Sequence, residues 1–173
     1  FGNFRGTQYG FLSSIDSGVT WSLRAVTMPH LDAMVVYSDM LHGVGSVPAE
    51  FGGGHEVAYF YSVNSGASWA YSEVLSRDDV TPSVLPQLAR NERGHLFSVW
   101  NDAGVIVMRH SRDNGFSWLP QVPLSSGRGA IFSAIAAGSE FVSVVWDNDF
   151  GGTGGIRLRQ SNDFSNNFCP IDA

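Results

Sequence analysis

The chain has 173 residues, of which 43% are hydrophobic and 15% charged, and it contains 20 glycines. That length fits one domain and that apolar content supplies a sizeable core, so a disordered chain is excluded. A net charge of −6 and a pI near 5.2 leave no basic stripe to displace counterions from phosphate, which argues against nucleic acid as a partner.

Runs of Val, Ile and Phe separated by Gly, Asn, Asp and Ser predict strands and turns, and no long helical period occurs. Residues 1–28 read as the end of a first unit, with a strand over Thr7 to Ser13, a turn, and a return strand from Trp21 to Met28. Residues 29–75 form a second unit with strands over Ala33 to Tyr37 and Glu56 to Tyr61. Between them the glycine-rich stretch Leu41 to His55 reads as a long inserted loop, and such loops are often functional. On this alignment Tyr37 takes the second-strand place of Trp100 and Trp146, so the second unit has lost most of its first strand. Residues 76–124 are the most regular, with strands over Ser83 to Ala89, His95 to Trp100, Gly104 to His110 and Trp118 to Val122. Residues 125–173 repeat that plan through Ile131 to Ala136, Glu140 to Trp146 and Gly155 to Gln160.

One pattern, Ser-x-Asp-x-Gly-x-x-Trp, punctuates these units. It runs from Ser14 to Trp21, Ser62 to Trp69 and Ser111 to Trp118, and in decayed form from Ser161 to Phe168, with the serines 48 to 50 residues apart. Asp16, Asn64, Asp113 and Asp163 hold the third position, where a short side-chain oxygen can accept N–H bonds within its own turn. Gly18, Gly66 and Gly115 follow two residues later, where a left-handed backbone costs glycine nothing. Trp21, Trp69 and Trp118 then start the next strand and are expected in the core. A group that recurs in every unit is a turn fastener, since one active site needs only one or two carboxylates.

The four stretches resemble Asp-boxes, the repeat of sialidases (neuraminidases) and related β-propellers. The resemblance implies an all-β propeller of four-stranded antiparallel blades, here about three and a half of them, as a single domain over residues 1–173. It places each Asp-box in the turn between the third and fourth strands. An open ring exposes strand edges, so the chain is expected to be part of a longer protein or to form a homodimer that completes the propeller. The start Phe1-Gly2-Asn3 carries neither an initiating methionine nor a signal peptide, which reads as processing or truncation. The resemblance implies an extracellular or periplasmic location.

In a four-stranded up-and-down blade, a pocket away from the boxes must use the loops joining strands 2–3 and 4–1. The 2–3 loops are read to hold Asp39, His42, Glu50 and His55, then Asp102, then Asp147 and Asp149. The 4–1 loops hold His30 and Asp32, then Arg77, Asp78 and Asp79, then Arg128. Sialidases clamp a substrate carboxylate with three arginines and use a tyrosine–glutamate nucleophile with an aspartate acid/base. The resemblance therefore implies Arg77 and Arg128 as carboxylate binders and Asp39, Asp102 or Asp147 as acid/base candidates. Phe4-Arg5-Gly6-Thr7 lacks the proline of the family's first arginine segment, and no tyrosine follows Tyr71. Tyr37, Tyr59 and Tyr61 read as packing residues, His42 and His55 as surface histidines, and no metal or other cofactor is implied. Arg109 and Arg159, two residues before a box serine, are expected between blades in ion pairs or stacks. The expected function is a sialidase-like module directed at a glycan ligand, without catalysis in this chain and with no membrane span. The alternative is an exo-glycosidase of exo-sialidase type acting on terminal sialic or other acidic sugars.

Overall fold

The computed structural model describes residues 8–27, 30–50, 54–77, 79–127, 129–148, 154–163 and 168. These residues form β-strands only, in four antiparallel sheets that run in chain order. The first pairs β1 (Gln8–Ser13) with β2 (Ser22–Thr27). The second holds β3 (Ala33–Tyr37), β4 (Met40–Pro48), β5 (His55–Ser62) and β6 (Ala70–Val74). The third holds β7 (Ser83–Arg90), β8 (Leu96–Asp102), β9 (Val105–Ser111) and β10 (Val122–Pro123). The fourth holds β11 (Ala130–Ala137), β12 (Val142–Asn148) and β13 (Gly155–Ser161). Strand β7 packs against both β3 and β11, so the first strand of the second, third and fourth sheets lies innermost. This is the blade arrangement of a β-propeller.

The two larger core clusters lie between blades. Strand β8 carries the nearly continuous apolar run Leu96-Phe97-Ser98-Val99-Trp100, as expected of a strand buried on both faces. Leu96 and Trp100 join Val44, Val57, Tyr59 and Leu75 of the second blade, whereas Phe97 and Val99 join Val142, Val144 and Trp146 of the fourth. Truncating a fully buried ring such as Trp100 to alanine costs roughly 3–5 kcal/mol, so β8 anchors two interfaces at once.

Arg109 ties the second and third blades through polar groups. Its Nη1 lies 3.2 Å from Glu73 Oε1 and donates to Leu75 O at 3.2 Å, across the interface. Its Nε and Nη2 donate to Leu119 O at 2.7 Å and Trp118 O at 2.8 Å in its own blade. The guanidinium fork thereby caps carbonyls that the short pairing of β10 with β9 leaves off the ladder. Pro120 and Pro123 have no N–H to give, which is why only Val122–Pro123 pairs with β9 and not the whole expected span Trp118 to Val122.

The second blade corrects the sequence reading. Ala33–Tyr37 is its first strand, and most of the supposed insertion Leu41 to His55 is its second strand, paired along its length with β5. In the register of the box serines, Leu41 faces Ser62 as Leu96 faces Ser111 and Val142 faces Ser161. Gly45, not Tyr37, therefore stands where Trp100 and Trp146 stand. The cause is a close backbone approach: a Cβ on Gly45 would overlap the His30 carbonyl oxygen and lie 3.0 Å from Leu31 Cα, and one on Gly43 would lie 2.8 Å from Leu31 Cδ1. Segment His30–Asp32 lies flat on β4, with Asp32 N donating to Val44 O at 2.9 Å. Glycine here marks a crowded strand rather than a loop.

Gly45→Ala should accordingly destabilise the protein by about 1–3 kcal/mol, while Gly155→Ala, whose Cβ would meet nothing within 4 Å, should change stability by less than about 0.5 kcal/mol. Urea midpoints of the two variants compare them directly. Equal effects would contradict the close approach.

Candidate functional site

The repeated turns are closed units of hydrogen bonding. In the first, Ser14 Oγ donates to Asp16 Oδ1 at 2.7 Å and accepts from Gly18 N at 2.7 Å, and Asp16 Oδ1 also accepts from Thr20 N at 2.8 Å. The third repeats this with Ser111 to Asp113 at 2.7 Å, Gly115 N to Ser111 at 2.8 Å and Ser117 N to Asp113 at 2.9 Å. In the second, Asn64 Oδ1 accepts from Ser62 Oγ and Ser68 N, both at 2.9 Å, and its amide donates to Ser68 Oγ. In the fourth, Ser161 Oγ donates to Asp163 Oδ1 at 2.6 Å, and residues 164–167 lie outside the described set. Ser17, Ser65 and Asn114 have φ of 57°, 54° and 59°, ahead of Gly18, Gly66 and Gly115 at 89°, 80° and 91°. Two successive left-handed residues fold the chain back under each acceptor.

Hydrogen bonds from Thr20 and then Ser14 hold the Asp16 carboxyl down at about 2. Burial pushes Asp113 up, but bonds from Ser117 and Ser111 together outweigh it and keep its carboxyl below the usual value. Each of these acidic groups serves its own turn.

The tryptophans differ in what they meet. Trp118 fills the interface between the second and third blades, edge-on to Tyr59 with ring centroids 5.1 Å apart. Trp69 packs on Val47, Ala58 and Phe60. Trp21 corrects the expectation of a core position: it is 59% exposed, its indole N–H donating to Gly18 O at 3.0 Å. The first sheet's Leu12 and Leu23, opposite one another in register, are exposed with it.

Beneath the third turn lies a pair that the sequence reading missed. His42 is buried in β4, not on the surface, and its Nδ1 lies 2.6 Å from the Tyr59 hydroxyl. A Cβ on Gly115 would overlap that hydroxyl. Burial, helped by the Arg90 charge, holds His42 down at about 4, and burial pushes the Tyr59 phenol well above its ordinary value. His110, on the opposite face of the third blade from this pair, is likewise buried, stacks on Phe97 and is held at about 4 by burial and then Arg112.

At the far rim, Asp102 ends β8 and its Oδ2 accepts from Gln121 Nε2 at 3.0 Å. Asp147 is next to last in β12, and its Oδ1 accepts from Ile131 N at 3.1 Å and Phe132 N at 2.7 Å, capping the two N–H groups left off the ladder by the bulge in β11. Neighbouring Asn101, which the sequence did not single out, donates from Nδ2 to Ala130 O at 2.6 Å and accepts from Gly104 N at 2.6 Å. Asp39 is displaced from its expected loop: it sits in the β3–β4 turn, on the face of the repeated turns, and its carbonyl accepts from Ser65 N at 3.1 Å. Arg77 is exposed next to Asp79, whose carboxyl is held low by Thr81. Arg128, Asp78 and Asp149 lie outside the described residues. His55 and Glu50 are exposed, whereas Glu56 is buried and bonded to Ser76 Oγ. Among the described residues no group of three or more His, Cys, Asp or Glu side chains is placed to hold a metal ion.

The architecture is shared with propeller glycosidases. The chain is similar to the NanB sialidase of Streptococcus pneumoniae, with a TM-score of 0.64 and 14% identity over 92% of this chain and 27% of that one. It is similar to the α-L-arabinanase of Penicillium chrysogenum, with a TM-score of 0.67 and 16% identity over 94% of this chain and 57% of that one. A third is the α-L-arabinofuranosidase Arb93A of Fusarium graminearum, with a TM-score of 0.60 and 13% identity over 80% and 46%. The chain thus spans between about a quarter and three fifths of the length of these structures. No family model matches the sequence, and no curated protein is recognisably similar to it.

The two buried histidines make stability depend on pH in a defined sense. Their folded pKa values lie below the ordinary 6.5, at about 4, so the unfolded chain takes up protons first and stability falls as pH drops from 6.5 to 4. His42→Gln should flatten part of that fall in urea midpoints measured across the window. An unchanged slope would mean that His42 is already charged in the folded protein.

Proposed function

We propose that this chain is a carbohydrate-directed propeller module without hydrolytic activity of its own. The likeness to glycosidase propellers supports the first half of that reading. The second half rests on one observation: Tyr59 lies beneath the third turn, away from the rim carboxylates, and is not set beside them as a nucleophile. Tyr59 is 1% exposed, its hydroxyl engaged with His42 and its ring with Trp118. The rim carboxylates Asp102 and Asp147 each hold a loop or bulge in shape by accepting hydrogen bonds within their own surroundings.

The second reading is exo-glycosidase action on a terminal acidic sugar, with Arg77 and Arg128 on the substrate carboxylate and Asp102 or Asp147 as acid/base. Its support is that the sialidase, arabinanase and arabinofuranosidase named above share this architecture. We also propose a second copy of the chain as the occupant of the exposed apolar faces. On the fourth sheet Val145 and Leu158 are paired in register and both exposed, beside exposed Ile156.

Incubation with fluorogenic sialosides and arabinofuranosides, alongside glycan-array binding and sedimentation velocity, separates these readings. The expected result is saturable glycan binding by a dimer with no fluorophore released. Turnover that falls by orders of magnitude in Asp102→Asn or Asp147→Asn would replace the first reading with the second.

A further inference from the structure

The face that carries the repeated turns holds a cavity of about 590 Å³, bounded by Val35, Val36 and Tyr37 of the second blade and by Arg90, Asn91 and Glu92 of the third. That volume is within the range of small-ligand sites, roughly 300–1,000 Å³. Three features distinguish its wall from ordinary surface. The Arg90 guanidinium lies over the Tyr37 ring, 3.5 Å from its centroid, on a tyrosine that is half exposed. Its remaining contacts are neutral: Nε donates to Asn114 Oδ1 at 3.5 Å and Nη1 to Asn91 O at 3.0 Å, and among the described residues no carboxylate forms an ion pair with it. Asn91 is 3% exposed, and its Oδ1 accepts from Arg93 N and His95 N, which fixes the amide's orientation. Its Nδ2 is left buried with no hydrogen-bond partner. A buried donor without an acceptor costs about 1–3 kcal/mol, so a group that supplies one gains from binding here.

We propose that this cavity binds a sugar acid, its carboxylate taken by Arg90 and by Asn91 Nδ2, with Glu92 in the same wall accepting from hydroxyl groups. An arginine already held flat on an aromatic ring loses little freedom when its fork meets a carboxylate. Val35, on the same face of β3 as Tyr37, supplies the apolar floor for the C–H face of a pyranose. The site lies on the opposite face from the rim candidates, at the ends of β3 and β7 where those strands leave the axis. The carboxylate half of the assignment stands on Arg90 and Asn91 alone; the sugar half rests on the carbohydrate reading above.

Amide chemical-shift titration of the whole chain with sodium D-glucuronate, D-glucose and sodium propionate tests it. Glucuronate should move the amides of Tyr37 and of residues 90–92 at lower concentration than propionate, and glucose should leave them still. Arg90→Gln should weaken glucuronate binding roughly tenfold or more. Asn91→Asp keeps the Oδ1 that caps the turn while replacing the donor by a like charge, so it should abolish binding even if the Arg90 variant folds poorly. Glucose acting as well as glucuronate, propionate equalling it, or full binding by Asn91→Asp would each overturn the proposal. Failure on the glycan array would remove the carbohydrate reading and leave glucuronate-induced shifts at these amides standing, so the two can fail separately.

Discussion

Tyr59 and Gly115 meet where one blade reaches into the turn of the next, and that contact constrains much of the molecule. The phenol lies where a side chain on residue 115 would have to go, so the turn must carry glycine for the blades to close. The turn in turn sets the position of Trp118, whose ring fills the space between Tyr59 and the third blade. Shape on one blade and backbone conformation on the other therefore specify each other. The two larger apolar clusters are each built by two neighbouring blades.

Polar groups follow the same logic of serving the junction. Arg109 spans from Glu73 and Leu75 to Trp118 and Leu119, satisfying carbonyls at an edge where prolines interrupt the ladder. The serine of the first three turns works in two directions, donating to the side-chain oxygen at the third position and accepting from the glycine N–H. The asparagine in the second turn keeps the geometry because its oxygen takes the same two bonds. Position three of the repeat requires an acceptor and tolerates loss of charge, as a fastener would and an acid catalyst would not.

What could be read from the sequence was whatever repeats. Serine spacing placed the turns, and apolar runs between turn residues placed β5, β7, β8, β9 and the fourth blade. The second blade was misread because Gly43 and Gly45 erase the apolar pattern of β4, and their reason, the passage of His30 and Leu31 overhead, is tertiary. That error also put Asp39 on the wrong face and His42 on the surface. Trp21 obeys the same pattern as Trp118 yet stays exposed, because a motif sets a residue's direction and not what waits there. The stack of Arg90 on Tyr37 joins residues of different blades and has no local signal at all, so no spacing rule could have found it.

If function resides in the faces, the turns are there to keep the faces in register. Hydrogen exchange of a Ser111→Ala variant examines this most directly, since the change removes the hydroxyl that joins Asp113 to Gly115, whose hydrogen bonds lie within its own turn. Loss of protection should spread from residues 111–118 across the interface into β5 and β6, around Tyr59 and Leu75. Deprotection confined to the turn itself, with β5 and β6 as slow to exchange as before, would contradict the claim that these turns hold neighbouring blades together.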